Sequence, residues 1–354
     1  MVGYIGPKAI QYNVVNSVVE GDSSIGGDLT VDGNLQVNGT ISPPYPIVAN
    51  ANILINPSFT VNQRGFISVA ASDTGFDFVS DRWSHRPANL VGAGFSSEPI
   101  VVNGQGTGIK LTYTNTTTSA VFIQQYIEAV NVYPLYAKQV TLSFNINNAD
   151  GISALAETVI DVNIWKSDQT ALPCTPVGDL VSMGGTRYSQ TFNVGTMSDG
   201  NIPDPSAKGM SIRIHPTLNG GLTEWKIWDV KLEVGSVATP FIARSYGEEL
   251  LLCQRYYQVI GSSTVFAGRG GSTTVMAASV IPFVALRASP TFPATVNCNA
   301  YSTTAGGINA NASLALNVYV SSLLVSFSGF SANILDNRVG SVQILQDMYL
   351  DAEL

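Results

Sequence analysis

The side chains best suited to recognition chemistry lie on one short segment of alternating residues. Within TVIDVNIW (158–165), the polar or aromatic Asp161, Asn163 and Trp165 alternate with apolar residues. A strand with this period places all three on one face. An aromatic ring beside a few polar groups is the arrangement that binds a sugar ring. The segment therefore predicts a carbohydrate-binding surface; the alternative is that Trp165 packs in a trimer interface or a second core.

A second segment near the C-terminus has the same pattern. In SLALNVYV (313–320), Asn317 and Tyr319 alternate with apolar residues and share a face with Ser321. The same argument makes Asn317 and Tyr319 candidate carbohydrate-binding residues. The same alternative, a packing role for the aromatic ring, stays open.

The residue types needed for common catalytic and metal sites are scarce. The chain has two histidines and three cysteines, and it contains no HExxH and no P-loop. The glycine-rich AGRGGS (267–272) lacks the Lys-Ser/Thr that a P-loop requires. Neither His85 nor His215 has a nucleophile elbow nearby. The cysteines are far apart, which gives neither a zinc site nor a disulfide framework. The sequence predicts no enzyme, no metal site and no cofactor.

Carboxylates leave one catalytic alternative open. A pair of acids can hydrolyse a glycosidic bond, and such a pair meets only in three dimensions. The candidates are Asp150, Asp161, Asp168, Glu224 and Asp229. Most acids on a β-sandwich are simply solvated, so binding without catalysis is favoured. Asp229, together with Asn56, is also a candidate for a structural calcium site.

The amino-acid composition argues against nucleic acids and membranes as partners of the chain. Only 12% of residues are charged and the net charge is −8, whereas nucleic-acid binding needs clustered Lys and Arg. The first residues lack the pattern of a signal peptide, and the most apolar later stretch, 275–286, is too short to span a bilayer. We expect a soluble chain, made in the host cytoplasm, with no nucleic acid partner and no membrane insertion.

Alternating β patterns supply the elements that position these side chains. Strands separated by Gly, Asn, Asp and Pro turns predict an all-β chain. We expect a jelly-roll β-sandwich over residues 45–245 and a C-terminal, distal β-sandwich domain over 260–354. One helix is predicted between them, over 246–259, because Ser245 and Glu248 form a capping box.

A six-residue repeat precedes the sandwich. Glycines recur at 21, 27, 33 and 39, and apolar residues alternate between them. One such strand cannot bury its own apolar side, so three chains sharing one axis are the economical solution. The predicted trimer core of this stalk, residues 21–44, is Ile25, Leu29, Val31, Leu35, Val37 and Ile41. The alternative is a β-hairpin in a monomer. Residues 1–20 have no period and are predicted to order on a partner.

Three longer segments resemble a known group of proteins. NILINPSFTVNQRG (52–65), FVSDRW (78–83) and WDVKLEVGSVATPFIARSYGEELLLCQRYY (228–257) resemble the carbohydrate-binding-module-like jelly-roll of bacteriophage tail fibres and related virion or prophage proteins. VALRASPTFPATV (284–296) resembles the C-terminal domain that often follows it, and GYIG (3–6) resembles the start of some fibre proteins.

The resemblance implies a homotrimeric tail fibre in the virion. Residues 1–20 would attach to a phage tail or baseplate protein, and the distal β domains would bind a host cell-surface polysaccharide. The matched motifs are mainly structural, so the resemblance supplies no sugar-contacting residue. Two alternatives stay open: a structural tail or baseplate decoration without receptor binding, and, less favoured, a glycan-degrading spike.

Overall fold

The computed structural model describes most of the chain from residue 51 onward. The described residues are 51–65, 68–69, 77–87, 94–102, 106–114, 121–148, 158–166, 170–196, 208–216, 224–272, 275–278, 284–288, 290–291, 293, 295–302, 306–319, 322–328 and 339–353. All of them belong to one compact unit, 50–354. The proposed anchor at 1–20 and the stalk residues Ile25, Leu29, Val31, Leu35, Val37 and Ile41 lie outside the described residues and remain predictions.

Antiparallel strands dominate the first part of the described chain, joined by one short helix, α1 (Ala129–Val132). In chain order the strands are β1 (Ser68–Val69), β2 (Asp77–Ser80), β3 (Trp83–Pro87), β4 (Gly94–Val102), β5 (Gly106–Thr114), β6 (Val121–Glu128), β7 (Gln139–Asn148), β8 (Thr158–Trp165), β9 (Ala171–Pro173), β10 (Thr175–Pro176), β11 (Val181–Gly184), β12 (Arg187–Asn193), β13 (Lys208–Pro216) and β14 (Glu224–Val234).

These strands form two antiparallel sheets that share one core. One sheet has the order β1-β4-β5-β14-β7-β12-β10, with β11 also paired to β12, and the other has the order β2-β3-β6-β13-β8-β9. From β5 to β8 and again from β12 to β14, the chain crosses between the sheets at each connection, as in a jelly-roll sandwich. The prediction of an all-β sandwich is confirmed.

The alternating patterns predict the core side of the central strands correctly. On β7, Val140, Leu142 and Phe144 are completely buried. They meet the apolar sides of β8 and β13 in the shared core. The buried residues that those two strands contribute are Ile160, Val162, Ile164, Met210, Ile212 and Ile214. Burying each such side chain stabilises the fold by roughly 1.5–3 kcal/mol, so period-two alternation is enough to orient these strands.

A bulge in β14 changes the predicted phase of that strand. The sequence pattern predicts Trp228 on the core side, but the register shifts between Trp228 and Lys231, and Asp229 has a φ of 52°. Trp228 therefore lies on the outer side, where a Cβ added to Gly108 would come 2.7 Å from its Cβ. After the bulge, Val230 and Leu232 are buried as the pattern predicts, and Val234 is exposed at the end of the strand. The extra residue of a bulge reverses which side chains face the core, and alternation alone does not reveal it.

Lys231 and Glu233 hold the segment after β14 against the sandwich. Both are buried and form an ion pair with Nζ to Oε2 at 3.1 Å. The Lys231 ammonium also donates to the hydroxyl of Thr239 and to the carbonyl of Pro240, and Glu233 accepts from the Thr239 amide at 2.8 Å. The residues of the KLEVGSVATP part of the closing motif thus satisfy one another's buried charges and donors.

Asn56 and Glu249 join the opening motif to the closing motif. The Asn56 side chain is fully buried and donates to the carbonyl oxygens of Val61 and Asp81 at 2.8 and 2.9 Å. Its backbone amide donates to Glu249 at 2.7 Å, and Arg244 pairs with the same carboxylate. The contacts that both motifs make here are structural.

The predicted helix begins at its predicted position and ends early. Helix α2 (Tyr246–Gln254) has Ser245 as N-cap, with the capping box to Glu248 formed in both directions. It stops five residues before the predicted end at Val259, because the next residues form a strand, β15 (Tyr257–Ile260). Among the described residues, no helix has the length and apolar character needed to cross a membrane.

The C-terminal part is a closed barrel. Its strands are β16 (Val265–Ser272), β17 (Val275–Ala278), β18 (Thr295–Ser302), β19 (Gly306–Tyr319), β20 (Ser322–Ser328) and β21 (Val339–Ile344), in the order β16-β17-β20-β19-β18-β21. The sequence predicts a sandwich here, and the strands instead close on themselves, because β21 pairs with both β16 and β18. Closure leaves no sheet edge unpaired.

The last strand links this part to the sandwich. Strand β22 (Met348–Asp351) pairs with β15. Asp351 accepts from Arg64 at 2.7 Å, and Glu353 forms an ion pair with the buried Arg82. These two ion pairs therefore hold the C-terminal residues against the sandwich.

His85 is a buried titratable group on the core side of β3. Its ring stacks on Phe95 with centroids 4.0 Å apart, and Nδ1 lies 3.1 Å from the carbonyl oxygen of Phe122. Burial lowers the pKa of His85 to about 4. In an unfolded chain the pKa of a histidine is about 6.5. Between these values only the unfolded chain takes up the proton, so acid favours unfolding.

We expect a His85→Gln variant to differ from the wild type in its response to acid. As pH falls from 7 to 4, the free energy of unfolding of the wild type should drop by roughly 3 kcal/mol relative to that of the variant. Burial raises the pKa of Asp81 to about 6, which acts in the opposite direction but equally in both proteins. Urea unfolding at several pH values measures the difference, and parallel pH profiles would contradict it.

Candidate functional site

The outer side of the six-stranded sheet brings polar and aromatic side chains together. Strand β13 lies between β6 and β8, with Ser211 opposite both Tyr126 and Asn163, and Arg213 opposite both Gln124 and Asp161. These positions alternate with the core positions of the three strands. We call the resulting surface the aromatic–polar face, and its residues are Phe122, Gln124, Tyr126, Asp161, Asn163, Trp165, Ser211, Arg213 and His215.

Trp165 is held at one end of this face. It is half-buried, and its indole Nε1 donates to the Ser211 hydroxyl at 2.8 Å. Its ring meets that of Tyr126 edge-on, with centroids 6.3 Å apart and an interplanar angle of 62°. An edge-to-face pair contributes about 0.5–1.5 kcal/mol beyond its burial. These contacts fix the ring plane in advance, which lowers the entropy lost when a ligand stacks on it.

Arg213 lies at the centre of the face, between two rings. Its guanidinium carbon is 5.0 Å from the ring centroid of Phe122 and 5.6 Å from that of Trp165. Both distances are within the range of a cation–π attraction. Its Nε donates to Oε1 of Gln124 at 3.1 Å. The rings and the amide hold the planar guanidinium group in one position on the face.

Asp161 and His215 form a separate polar pair. Oδ2 of Asp161 lies 2.8 Å from Nε2 of His215, and 41% of the Asp161 side chain is exposed. The adjacent His215 ring holds the pKa of Asp161 below its usual range, with a smaller effect from Arg213. Asp161 is therefore ionised at neutral pH and accepts hydrogen bonds. The His215 ring tilts against Phe122 with centroids 4.9 Å apart.

The floor of the face contains a donor that the described protein groups do not use. Gln124 is fully buried, and its Oε1 accepts from Arg213. Its Nε2 has no hydrogen-bond acceptor among the described residues. A buried donor left unpaired costs roughly 1–3 kcal/mol, so such a group is expected to meet a ligand or a water molecule.

The sequence-based candidates divide into two groups. Asp161, Asn163 and Trp165 share the aromatic–polar face, as the alternation predicts. Asn317 and Tyr319 lie on β19, opposite Leu324 and Ser322 of β20. The side chains of Asn317 and Tyr319 lie outside the described part, so their role remains a prediction.

The described carboxylate candidates belong to separate ionic contacts. Glu224 pairs with Lys226 at 3.0 Å on the larger sheet, whereas Asp161 lies on the smaller one. Asp229 accepts from the Ser58 hydroxyl at 2.8 Å. Asp150 and Asp168 lie outside the described residues. Asp161, Glu224 and Asp229 therefore make separate contacts and do not meet as a pair.

The proposed calcium ligands are occupied by protein groups. The side-chain Oδ1 of Asn56 accepts from the Val61 amide at 3.0 Å, and Asp229 accepts from the Ser58 hydroxyl as described above. Within the described ranges, no group of three or more His, Cys, Asp or Glu side chains has the spacing to hold a metal ion.

Sequence reasoning missed the part of the face that β6 contributes. In VFIQQYIE (121–128), Phe122, Gln124 and Tyr126 alternate with the core residues Ile123 and Ile127. This alternation was available in the sequence. What it does not show is that β6 and β8 flank β13, because strands distant along the chain pair only in the folded state.

Comparison with solved structures finds matches of low similarity. The enzymatically active domain of tailspike protein 4 from bacteriophage CBA120 is 15% identical, with a TM-score of 0.28, and the match covers 52% of this chain and 21% of that one. The family 11 carbohydrate-binding module of a Clostridium thermocellum cellulase is 16% identical, with a TM-score of 0.27, covering 46% and 97%.

A further match is the tandem family 22 carbohydrate-binding module of Paenibacillus barcinonensis Xyn10C, at 10% identity and a TM-score of 0.27, covering 79% of this chain and 96% of that one. The chain thus spans about a fifth of the tailspike domain. No protein-family model matches the sequence, and no curated protein matches it. Because the TM-scores are so low, these likenesses carry no argument about function.

Proposed function

We propose that the chain is a non-enzymatic glycan-binding protein that recognises a polysaccharide through the aromatic–polar face. A sugar ring would stack on Trp165, and Asp161 and Asn163 would bind its hydroxyl groups. Sugars combine apolar ring faces with hydroxyl groups, so their sites pair an aromatic surface with a few oriented polar groups.

The arrangement around Trp165 carries this proposal. The ring is half-buried and is oriented by Ser211 and Tyr126, and it has an ionised carboxylate and a guanidinium group on the same face. A packing role alone accounts for the buried part of the ring. It does not account for the buried, unpaired donor of Gln124 on the same face.

We propose further that this binding serves a homotrimeric tail fibre of a phage. The six-residue repeat supports a trimer, and the opening and closing motifs support the fibre assignment through their resemblance to fibre proteins. In this proposal residues 1–20 attach the chain to a tail or baseplate protein, and the chain reaches a host cell-surface polysaccharide. Three weak sites on one fibre gain affinity by multivalency.

Binding of the intact chain to polysaccharides tests the first part. A glycan array of bacterial surface polysaccharides, followed by titration calorimetry on each hit, should give binding that the Trp165→Ala variant loses. If the folded protein binds no glycan on the array, glycan recognition is contradicted and a structural decoration is favoured. A fall in polysaccharide viscosity on incubation would instead establish the degrading spike.

The oligomeric mass of the full chain tests the trimer. We expect three times the mass of one chain by light scattering, and a Leu29→Asp/Leu35→Asp variant should lose the trimer, because charges cannot be buried in a shared apolar core without partners. A Thr30→Asp variant on the opposite side of the same predicted strand should keep it. A monomeric wild type would contradict the stalk.

A further inference from the structure

Arg213 has a cross-strand acid but does not pair with it. Arg213 and Asp161 are directly opposite each other on β13 and β8. An Arg and an Asp in this position would normally form an ion pair. The Asp161 carboxylate instead contacts His215 at 2.8 Å, and no described acid lies within ion-pair distance of Arg213. Within the described part of the chain the guanidinium group therefore forms no direct ion pair, although its charge contributes to the lowered pKa of Asp161.

Most of the hydrogen-bonding capacity of Arg213 is unused. Within the described residues its Nε donates to Gln124, and its two terminal nitrogens make no hydrogen bond. Those nitrogens present four further N–H groups in a plane, the geometry that binds both oxygens of a carboxylate. Gln124 on one side and the rings of Phe122 and Trp165 hold this plane in place. A guanidinium that is oriented but unpaired is prepared for an anionic ligand.

The distance between Arg213 and Trp165 indicates which part of a ligand would carry the negative charge. The guanidinium carbon is 5.6 Å from the centre of the Trp165 ring. A sugar stacked on that ring would place its exocyclic substituent beside Arg213. Asp161, directly opposite Arg213 on the neighbouring strand, is ionised and would accept from hydroxyl groups of the same sugar. The face therefore places an acceptor for hydroxyl groups beside the donor for a negative charge.

We propose that the glycan is acidic, and that Arg213 binds the carboxylate of a sugar-acid unit whose ring stacks on Trp165. This inference rests on the proposed function, since it names the class of sugar that the same face selects. The carboxylate makes two parallel hydrogen bonds to the terminal nitrogens of Arg213, and the unpaired Gln124 Nε2 adds a donor on the floor beside it.

The test uses the full chain and matched pairs of oligosaccharides. The probes are oligomers of galacturonic, glucuronic and mannuronic acid and of sialic acid, each compared with its carboxyl-reduced, neutral counterpart by titration calorimetry. We expect at least one acid to bind about tenfold or more tightly than its neutral counterpart, in line with a charge-assisted hydrogen bond. An Arg213→Gln variant should lose that preference and retain binding to the neutral form, whereas Arg213→Lys should restore only part of it.

The outcomes separate the two proposals. If neutral oligomers bind as tightly as the acids, or if Arg213→Gln leaves the preference unchanged, the acidic-sugar inference is wrong and glycan binding stands. If no oligomer of either kind binds, the acidic-sugar inference is wrong, and the glycan array decides separately whether glycan binding stands. Circular dichroism of Arg213→Gln checks that its sandwich is folded. A Lys226→Gln variant is the control: it removes a positive charge from β14 of the other sheet and should keep the preference for the acid.

Discussion

A Trp165→Ala variant should lose about thirtyfold or more of its affinity for the bound glycan, the cost of removing a central aromatic contact. The ring is half-buried on the outer side of the sheet, and its contacts with Ser211 and Tyr126 orient it rather than build the core. Stability should therefore fall by only about 1 kcal/mol. Calorimetry on an array-selected oligosaccharide measures the first effect and urea unfolding measures the second.

Two further variants isolate the role of the ring. Trp165→Phe keeps an aromatic surface and loses the hydrogen bond to Ser211, so its affinity should lie between those of the wild type and the alanine variant. Tyr246→Ala removes an aromatic ring that is 58% exposed at the start of α2, away from the face, and should bind as the wild type does. Equal losses in Tyr246→Ala and Trp165→Ala would count against a specific site.

A Gly209→Ala variant should be destabilised by about 3 kcal/mol or more, because the new methyl group has no space. Gly209 lies in β13, and an added Cβ would be 2.4 Å from the Ala129 nitrogen and 2.6 Å from both the Ala129 Cα and the Ile127 carbonyl oxygen. All three are backbone atoms, so relief requires β6 and β13 to separate. Glycan affinity should also fall, because Ser211 and Tyr126 are paired two positions further along these strands.

Gly195→Ala is the matched control for this variant. Nothing lies within 4 Å of a Cβ added to Gly195, and its φ is outside the left-handed region. Its free energy of unfolding should stay within about 0.5 kcal/mol of the wild-type value. Equilibrium urea unfolding of both variants makes the comparison. A Gly209→Ala protein as stable as Gly195→Ala would show that β6 and β13 are not in contact at this point.

Local patterns predict several elements because their causes lie within a few residues. The capping box between Ser245 and Glu248 gives the start of α2, since the two side chains satisfy free amides of the first turn. The end of the helix is different. Tyr257 leaves the helix because it pairs with Asp351, a partner 94 positions away that no local pattern indicates.

The bulge at Asp229 illustrates a second limit of alternation. A single extra residue moved Trp228 to the outer side, although the pattern of β14 reads as continuous. The left-handed φ at Asp229 is compatible with aspartate, but aspartate adopts it only where the neighbouring strands require it. The phase of a strand across a bulge is therefore a property of the whole sheet.

For the candidate site, the sequence by itself determined that Asp161, Asn163 and Trp165 share one side of a strand, because side chains alternate with a period of two whatever the strand packs against. It also determined the all-β class and the scarcity of catalytic groups. Only the tertiary structure decided that Gln124 and Arg213 stand beside these residues, and that Asp161 pairs with His215 instead of Arg213. Strand neighbours are chosen by the packing of the whole core, and that choice gives the face its unpaired guanidinium.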